Sequence, residues 1–507
     1  MSEAKTVGSV SYATRDEAYF EGRQLKRVAG PWKLWAMGVA AVISGAFSGW
    51  NFGLGVGGFW GLAIATLLIT AMYLLLCLSL AEMGTALPHT GGAYSFARTS
   101  MGPWGGFVTG LAENMEYVFT PAVIAFFAGS YLKAVFAGTP LGALPDPLWW
   151  ALLYVVFITL NVLGAHLSFR FAFVITLVAM GVLLLFFGAA LPHVDFAKNL
   201  FDIPPAPGGT PALPFGLGGI LMALPFAVWF YLGIEELPLA SEETNHPERD
   251  LPRGIIGGIL TLIVITLFTL VLNTGLAPGA AKLSTSGEPI LDGFRTLFGD
   301  GSARLLGLAA TAGLVASFHG IMYAYGRQIY SLSRAGYFPT FLSLTHPKHK
   351  TPWVALVGGG VVGYAVMLAL WFFSADATVY IGTKLLCMAV FGAMISYVLQ
   401  MASFVILRLR FPGLARPFVS KLGVPGAVVA GAIALVTLVT LFVVDPVNYR
   451  SAAIGACAWF AGGILYFALH SRKRLVLSPE EAFALRASGS GGAVPEGVPA
   501  AHEPDAA

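Results

Sequence analysis

Ser44-Gly45-Ala46-Phe47-Ser48-Gly49-Trp50 lies inside an apolar segment that runs from about Lys33 to Phe59. A helix that only crosses a bilayer gains nothing from Gly, Ser and Gly at its middle. Each interior glycine costs about 0.8–1 kcal/mol relative to Ala. Backbone groups left unpaired at that depth cost several kcal/mol more. The stretch therefore predicts a helix that is broken where its opened backbone lines a cavity, with Ile43, Ser44, Gly45, Ser48, Gly49 and Trp50 around it. An intact helix with a small-residue face for close packing is the competing reading. A second break elsewhere in the chain decides between them.

Hydrophobic residues make up 57% of the 507 residues, charged residues 11%, and the mean hydropathy is +0.76. Soluble domains carry about 25% charged residues, so this is an integral membrane protein with many spans. The net charge of +3 brings no nucleic-acid signature, because no basic run is interleaved with aromatics. Cys77, Cys387 and Cys457 lie far apart in apolar runs, which suggests neither a metal site nor a disulfide framework. Residues 1–32 are polar and basic and do not read as a signal peptide.

A span needs about 20 mostly apolar residues. Twelve segments qualify: 33–58, 59–87, 104–136, 147–165, 169–191, 214–240, 254–277, 303–333, 353–373, 378–408, 424–444 and 450–470. Residues 1–32 form an N-terminal tail. From about 475 to 507 the Ser, Gly, Pro and Ala content predicts a disordered tail. With the N-terminus placed in the cytoplasm, 22 of the 29 Lys and Arg residues fall on the inner side and 7 on the outer. The positive-inside rule then puts both termini in the cytoplasm.

Five spans after the first break comes Pro225-Phe226-Ala227-Val228-Trp229-Phe230-Tyr231-Leu232-Gly233-Ile234-Glu235-Glu236. It holds a Pro, a Gly and two carboxylates within one apolar segment. An odd number of spans between equivalent positions inverts the second copy. Two interrupted helices at matching places in two inverted halves point to a transport site. The second break favours the cavity.

Three further motifs follow in order. Pro88-His89-Thr90-Gly91-Gly92-Ala93-Tyr94 follows the second span. Glu242-Glu243-Thr244-Asn245-His246-Pro247-Glu248-Arg249-Asp250-Leu251-Pro252 follows the sixth. Arg327-Gln328-Ile329-Tyr330, with Arg334-Ala335-Gly336-Tyr337-Phe338-Pro339, ends the eighth. Together they resemble the signatures of the amino acid–polyamine–organocation superfamily, with His246 inserted between the Asn and Pro of the second motif. Gly45–Leu54 and Gly110-Leu111-Ala112-Glu113-Asn114-Met115-Glu116-Tyr117-Val118 are most similar to bacterial ethanolamine permeases. The resemblance implies a leucine-transporter-type fold in residues 33–470, all α. It has five plus five inverted spans (33–191 and 214–408), with spans 1 and 6 broken and two spans appended (424–470). It implies a permease of the bacterial inner membrane that imports ethanolamine or a small amino alcohol by alternating access. Amino acid or polyamine transport is the alternative, and a permease-like sensor a more distant one. No motif of an enzyme, no cofactor and no protein partner is expected.

Ethanolamine offers an ammonium and a hydroxyl. Carbonyls near Val42, Ile43 and Ser44, with those near Val228 and Trp229, suit the cation, and Trp50, Trp229, Phe230 and Tyr231 can wall it off with cation–π contacts. Gly233 would open the second break. Intramembrane carboxylates are functional candidates by default. Glu113 and Glu116, three apart, share a helix face with Asn114 beside them, and Glu235 follows the second break. The coupling ion is H+ or Na+, with Glu113, Glu116, Glu235, Ser317 and His319 as its candidate partners. A Lys that serves some proton-linked family members in the fifth span is absent from Thr176–Gly181. Glu82, Pro88, Gly91, Gly92, Tyr94 and Arg327 are read as gating or structural, with Arg327 close enough to a span end to snorkel.

Overall fold

The computed structural model describes residues 5–7, 9–13, 15, 17–373, 379–443 and 446–487. Strands β1 (Lys5–Val7) and β2 (Val10–Ala13) and the short helix α1 (Glu17–Glu21) come first. The first apolar segment folds as α2 (Pro31–Val42) and the single turn α3 (Ser44–Phe47). After four non-helical residues α4 (Phe52–Ala86) begins. Then follow α5 (Gly92–Val135), α6 (Asp146–Val162), α7 (Ala165–Ala190), α8 (Phe196–Asn199) and α9 (Gly216–Val228). A 3-10 segment, Ile234–Glu243, leads into α10 (Pro247–Phe268), α11 (Ala280–Leu283) and α12 (Pro289–Arg334). The chain closes with α13 (Trp353–Phe373), α14 (Val379–Arg410), α15 (Gly423–Val443), α16 (Pro446–Leu469), strand β3 (Leu475–Val476) and α17 (Pro479–Ala487).

Local sequence explains many of these boundaries. Pro stands in the first turn of α2, α6, α10 and α12, where its missing N–H has no partner to lose. The helices α4, α5 and α12 each bend at a glycine of positive φ, namely Gly58, Gly102 and Gly299. The bend at Gly58 is the tight turn expected between the first two spans.

Among the described residues, nine helices are long and apolar enough to cross a membrane: α4, α5, α7, α10 and α12 to α16. Two apolar helices are shorter, α6 with 17 residues and α9 with 13. The expected span ends at 378 and 444 lie outside the described residues. Helix α5 is the innermost, packed on both α12 and α14, whereas α16 keeps only 17% of its apolar window buried. The α2 segment packs on α7, α10 and α12, and α9 packs on α4.

One expectation fails here. Residues 475–487, read as part of a disordered tail, are folded: β3 extends a small sheet in the order β1-β2-β3 and α17 packs on α5. The tail's Gly-, Pro- and Ala-rich composition belongs mainly to 488–507, outside the described residues. It obscures a stretch with Leu475, Val476, Leu477, Phe483 and Leu485, enough apolar surface to seed a small core of its own. The segments 9–13 and 475–487 therefore meet at one end of the bundle.

Candidate functional site

The first interruption opens in two stages. Ile43 keeps a helical conformation, so α2 and α3 are nearly continuous. Ser48 is fully extended and Gly49 has φ +93, which only glycine adopts at little cost. Side chains then satisfy the freed backbone. The Tyr131 hydroxyl donates to the Phe47 carbonyl at 2.7 Å, the Trp229 indole N–H to the Ser48 carbonyl at 3.0 Å, and the Gly49 N–H to Asn51 Oδ1 at 3.1 Å. The Asn51 amide in turn donates to the carbonyls of Leu283 and Ser286, and the Ser48 hydroxyl to that of Gly287.

The second interruption lies against the first. Pro225 removes one helical N–H, α9 ends at Val228, and Gly233 adopts φ +110 before the 3-10 segment starts. A Cβ on Gly45 would run into the Trp229 carbonyl, with the Phe230 Cα at 3.0 Å. The glycine is thus needed for the backbones of the two breaks to touch. The aromatic side chains interlock across the contact. Trp50 stacks on Phe230 at 5.5 Å, and Phe127 meets both Phe52 and Trp229 edge to face or tilted. The Trp50 indole N–H is buried without a partner among the described residues.

A set of carboxyl groups adjoins the second break. Glu235 Oε2 accepts from the Gly233 N–H at 3.1 Å, and the Glu116 carboxyl of α5 lies close by. The Tyr397 hydroxyl donates to Glu116 Oε1 at 3.1 Å and meets the Tyr73 hydroxyl, whose ring lies 5.4 Å from that of Tyr231. Glu116 Oε2, Glu235 Oε1 and both oxygens of Glu236 are buried without a partner among the described residues. None of the three forms an ion pair there. Burying an ionised group this way is costly. Asn114, one residue from Glu113, also has a buried amide nitrogen free of partners among the described residues.

The remaining predicted residues separate from this cluster. Glu113 is fully engaged, by the Gln328 amide at 2.6 Å and the Tyr117 hydroxyl at 3.2 Å, and so ties α5 to α12. Ser317 donates to the Ala41 carbonyl and receives the Ser44 hydroxyl. The carbonyls of Ile43, Ser44 and Val228 already accept from Ala46, Ser48 and Tyr231. His319 is clamped by Ser168 and Asn161 between Phe157 and Phe171, a packing environment. Glu82 binds Arg408 and Arg416 and fastens α4 to the end of α14 and the chain just after it. Arg327 does not snorkel. It is completely buried, forked onto both oxygens of Glu243 and stacked on Tyr323. Its position near a span end is covered by other chain segments rather than by water. Gly91, Gly92 and Tyr94 pack where α5 starts, beside Ser331, Leu239 and Glu481 respectively.

Sequence reasoning passed over Glu236, Tyr73, Tyr397, Gln328 and Asn51. Glu236 was visible as the second carboxylate of the Ile234-Glu235-Glu236 run. The tyrosines had no sequence signal, because only the packing of α14 on α5 and of α4 on α14 brings Tyr397, and through it Tyr73, to Glu116. An apolar cavity of about 480 Å³ between α7 and α10, lined by Leu183, Phe187, Ile265 and Phe268, holds none of these groups.

Comparison with known proteins agrees with this architecture. A family profile described as amino acid permease matches residues 34–474. The chain is similar to an uncharacterized transporter of Rhizobium meliloti (strain 1021), 33% identical over 66% of this chain and 71% of that protein. It is also similar to a branched-chain amino acid permease of Bacillus subtilis (strain 168), 26% identical over 94% and 98% of the two chains. A methylthioribose transporter of the same organism is 24% identical over 91% and 97%. The match runs through both interrupted helices and the nine long apolar helices, and its relatives are transporters rather than enzymes: the chain belongs to the amino acid permease family.

Proposed function

We propose that this permease moves a small cationic amine, ethanolamine or a close amino alcohol, across a bacterial cell membrane by alternating access, coupled to protons. The observation that carries the reading is the set of buried carboxyls at the second break, Glu116, Glu235 and Glu236, with free oxygens and no cation of their own. An amine without a carboxylate supplies the missing charge. A zwitterion brings an anion to the same place, and one misplaced charge contact is worth about 1–3 kcal/mol, or 5- to 150-fold. A proton taken up or released by the neighbouring Glu116 and Glu235 carboxyls would be the counterpart of the incoming ammonium. Trp50, Phe230 and Tyr231 close the apolar side of the site.

Twelve spans follow from adding α6 and the interrupted pairs, α2 with α3 and α9 with the 3-10 segment, to the nine long helices. The helices α2 to α7 then form one repeat and α9 to α14 its inverted copy, with α15 and α16 appended. The end carrying both tails faces the cytoplasm, by the positive-inside rule.

Amino acid transport is the second reading. The start of α4 just after Gly49 is the positive end of a long helix and suits a carboxylate, although the Gly53 and Leu54 N–H groups already donate to the Trp50 and Asn51 carbonyls; one similar protein is named for branched-chain amino acids. Competition in proteoliposomes separates the two. Ethanolamine displaces label at far lower concentration than serine or leucine if the amine reading holds. Equal competition by serine overturns it.

A further inference from the structure

Helix α17 starts at Pro479, and its first turn carries Glu480 and Glu481. Acidic residues suit a helix start, yet these two turn inward and are 1% and 0% exposed. Glu481 accepts from the Arg98 guanidinium at 2.6 Å and from three tyrosine hydroxyls, Tyr12 at 2.6 Å, Tyr94 at 2.8 Å and Tyr337 at 2.9 Å. Glu480 takes the Ser331 hydroxyl at 3.0 Å and pairs with Arg334. Arg334 in turn forks onto Glu242 at the end of the second interrupted segment, and Glu242 accepts from the Thr90 N–H in the Pro-Gly-Gly turn. Strand β3 lies parallel to β2, with Tyr12 opposite Leu475, and the Val476 N–H donates to the Ala335 carbonyl at 2.9 Å. Gly336, at φ +82, leaves room for this strand, because a Cβ there would sit 2.8 Å from the Arg474 carbonyl.

Two adjacent carboxylates therefore join the start of α5, the end of α12, the N-terminal strand and, through Arg334, the second broken segment. These are pieces of both proposed repeats. Opening this end of the bundle must separate them, and the tail holds them together.

We propose that residues 475–487 form an intramolecular latch that keeps the termini end of the permease closed, and that the latch must release in each transport cycle. The latch rests on the alternating-access reading but not on the identity of the substrate. Two rigid parts held by a charged contact switch only when that contact breaks, so the latch sets the population of the open state.

The test uses the full chain in proteoliposomes and inside-out vesicles, with exposed Cys457 replaced by Ser. In the first arm, Ser95→Cys under the latch reports opening through a membrane-impermeant maleimide applied to the termini side. Glu480→Gln with Glu481→Gln should raise its labelling rate about tenfold, as expected for a shift of a two-state population. Unchanged labelling overturns the latch, and this readout needs no transported substrate. In the second arm, Ala335→Cys with Val476→Cys places two thiols on hydrogen-bonded neighbours, within the reach of a disulfide. Oxidation should stop uptake and reduction restore it, while substrate binding persists. Uptake that continues at full rate in the cross-linked protein overturns the latch even if the Gln pair fails to fold.

Discussion

Buried carboxylates occur in two regions of this molecule, and they are treated in opposite ways. At the termini end, Glu243, Glu480 and Glu481 each face an arginine. At the second break, Glu116, Glu235 and Glu236 have no cation and only the Tyr397 hydroxyl and the Gly233 N–H as donors among the described residues, with oxygens to spare. Residue type and burial are the same. The presence of a resident cation separates a carboxylate that fastens the structure from one that waits for a ligand. Glu113 has no cation either, but its two oxygens are both taken by neutral α5 and α12 side chains, which leaves none free for a ligand.

The largest effect that can break this contrast is on stability. Glu243→Gln strips Arg327 of its buried partner and should cost about 3–5 kcal/mol, seen as a lower melting temperature in detergent. Glu235→Gln should leave the melting temperature unchanged or raised. Equal losses in the two variants would erase the distinction. Uptake reverses the order. Glu116→Gln and Glu235→Gln should each lower ethanolamine uptake by about 5- to 150-fold, while Glu113→Gln acts mainly through stability. The backbone gives a third effect. Gly45→Ala should cut uptake about tenfold with folding retained, whereas in a continuous helix it would stabilise by about 0.4–1 kcal/mol.

Proton dependence sharpens the comparison with the smallest changes. Burial works against charge on Glu480, but the Arg334 guanidinium overrides it and holds the carboxyl down at about 2, below its ordinary 4.5. A lowered folded value means that its contribution is present above about 4.5 and lost only as pH falls through about 2. Labelling under the latch should therefore be flat between pH 5 and 8. Glu288, at the other end, behaves in the opposite sense. Burial and then Asp292 push it up to about 7 against the pull of Arg295. A raised acid binds more protons folded than unfolded, so its loop gains stability as pH falls from 7 toward 4.5. Amide exchange over residues 283–292 should slow across that window.

Much of this was legible in the chain. Gly45, Gly49, Pro225 and Gly233 announced both interruptions, because glycine and proline act on the backbone wherever they stand. Glu116 and Glu235 were visible because charge is rare in apolar segments. Their proximity was not visible, since it depends on how α5 packs against the 3-10 segment. Arg327 misled because distance along a helix says nothing about what covers its end. The folded tail was hidden by averaging its 13 residues with the Gly- and Pro-rich ones beyond.

The three-stranded sheet has a consequence for biosynthesis. Tyr12 and Glu481 meet although 469 residues separate them. At about 5–20 residues per second, the N-terminal strand emerges roughly 25–95 s before its partner leaves the ribosome. Through that interval β2 presents an unpaired strand edge, the kind of surface that recruits chaperones or foreign strands. A chain cut short by premature termination never covers it. The sheet thus marks whether translation has passed β3, and a quality-control factor that binds exposed edges can sort chains that carry β3 from those that stop before it.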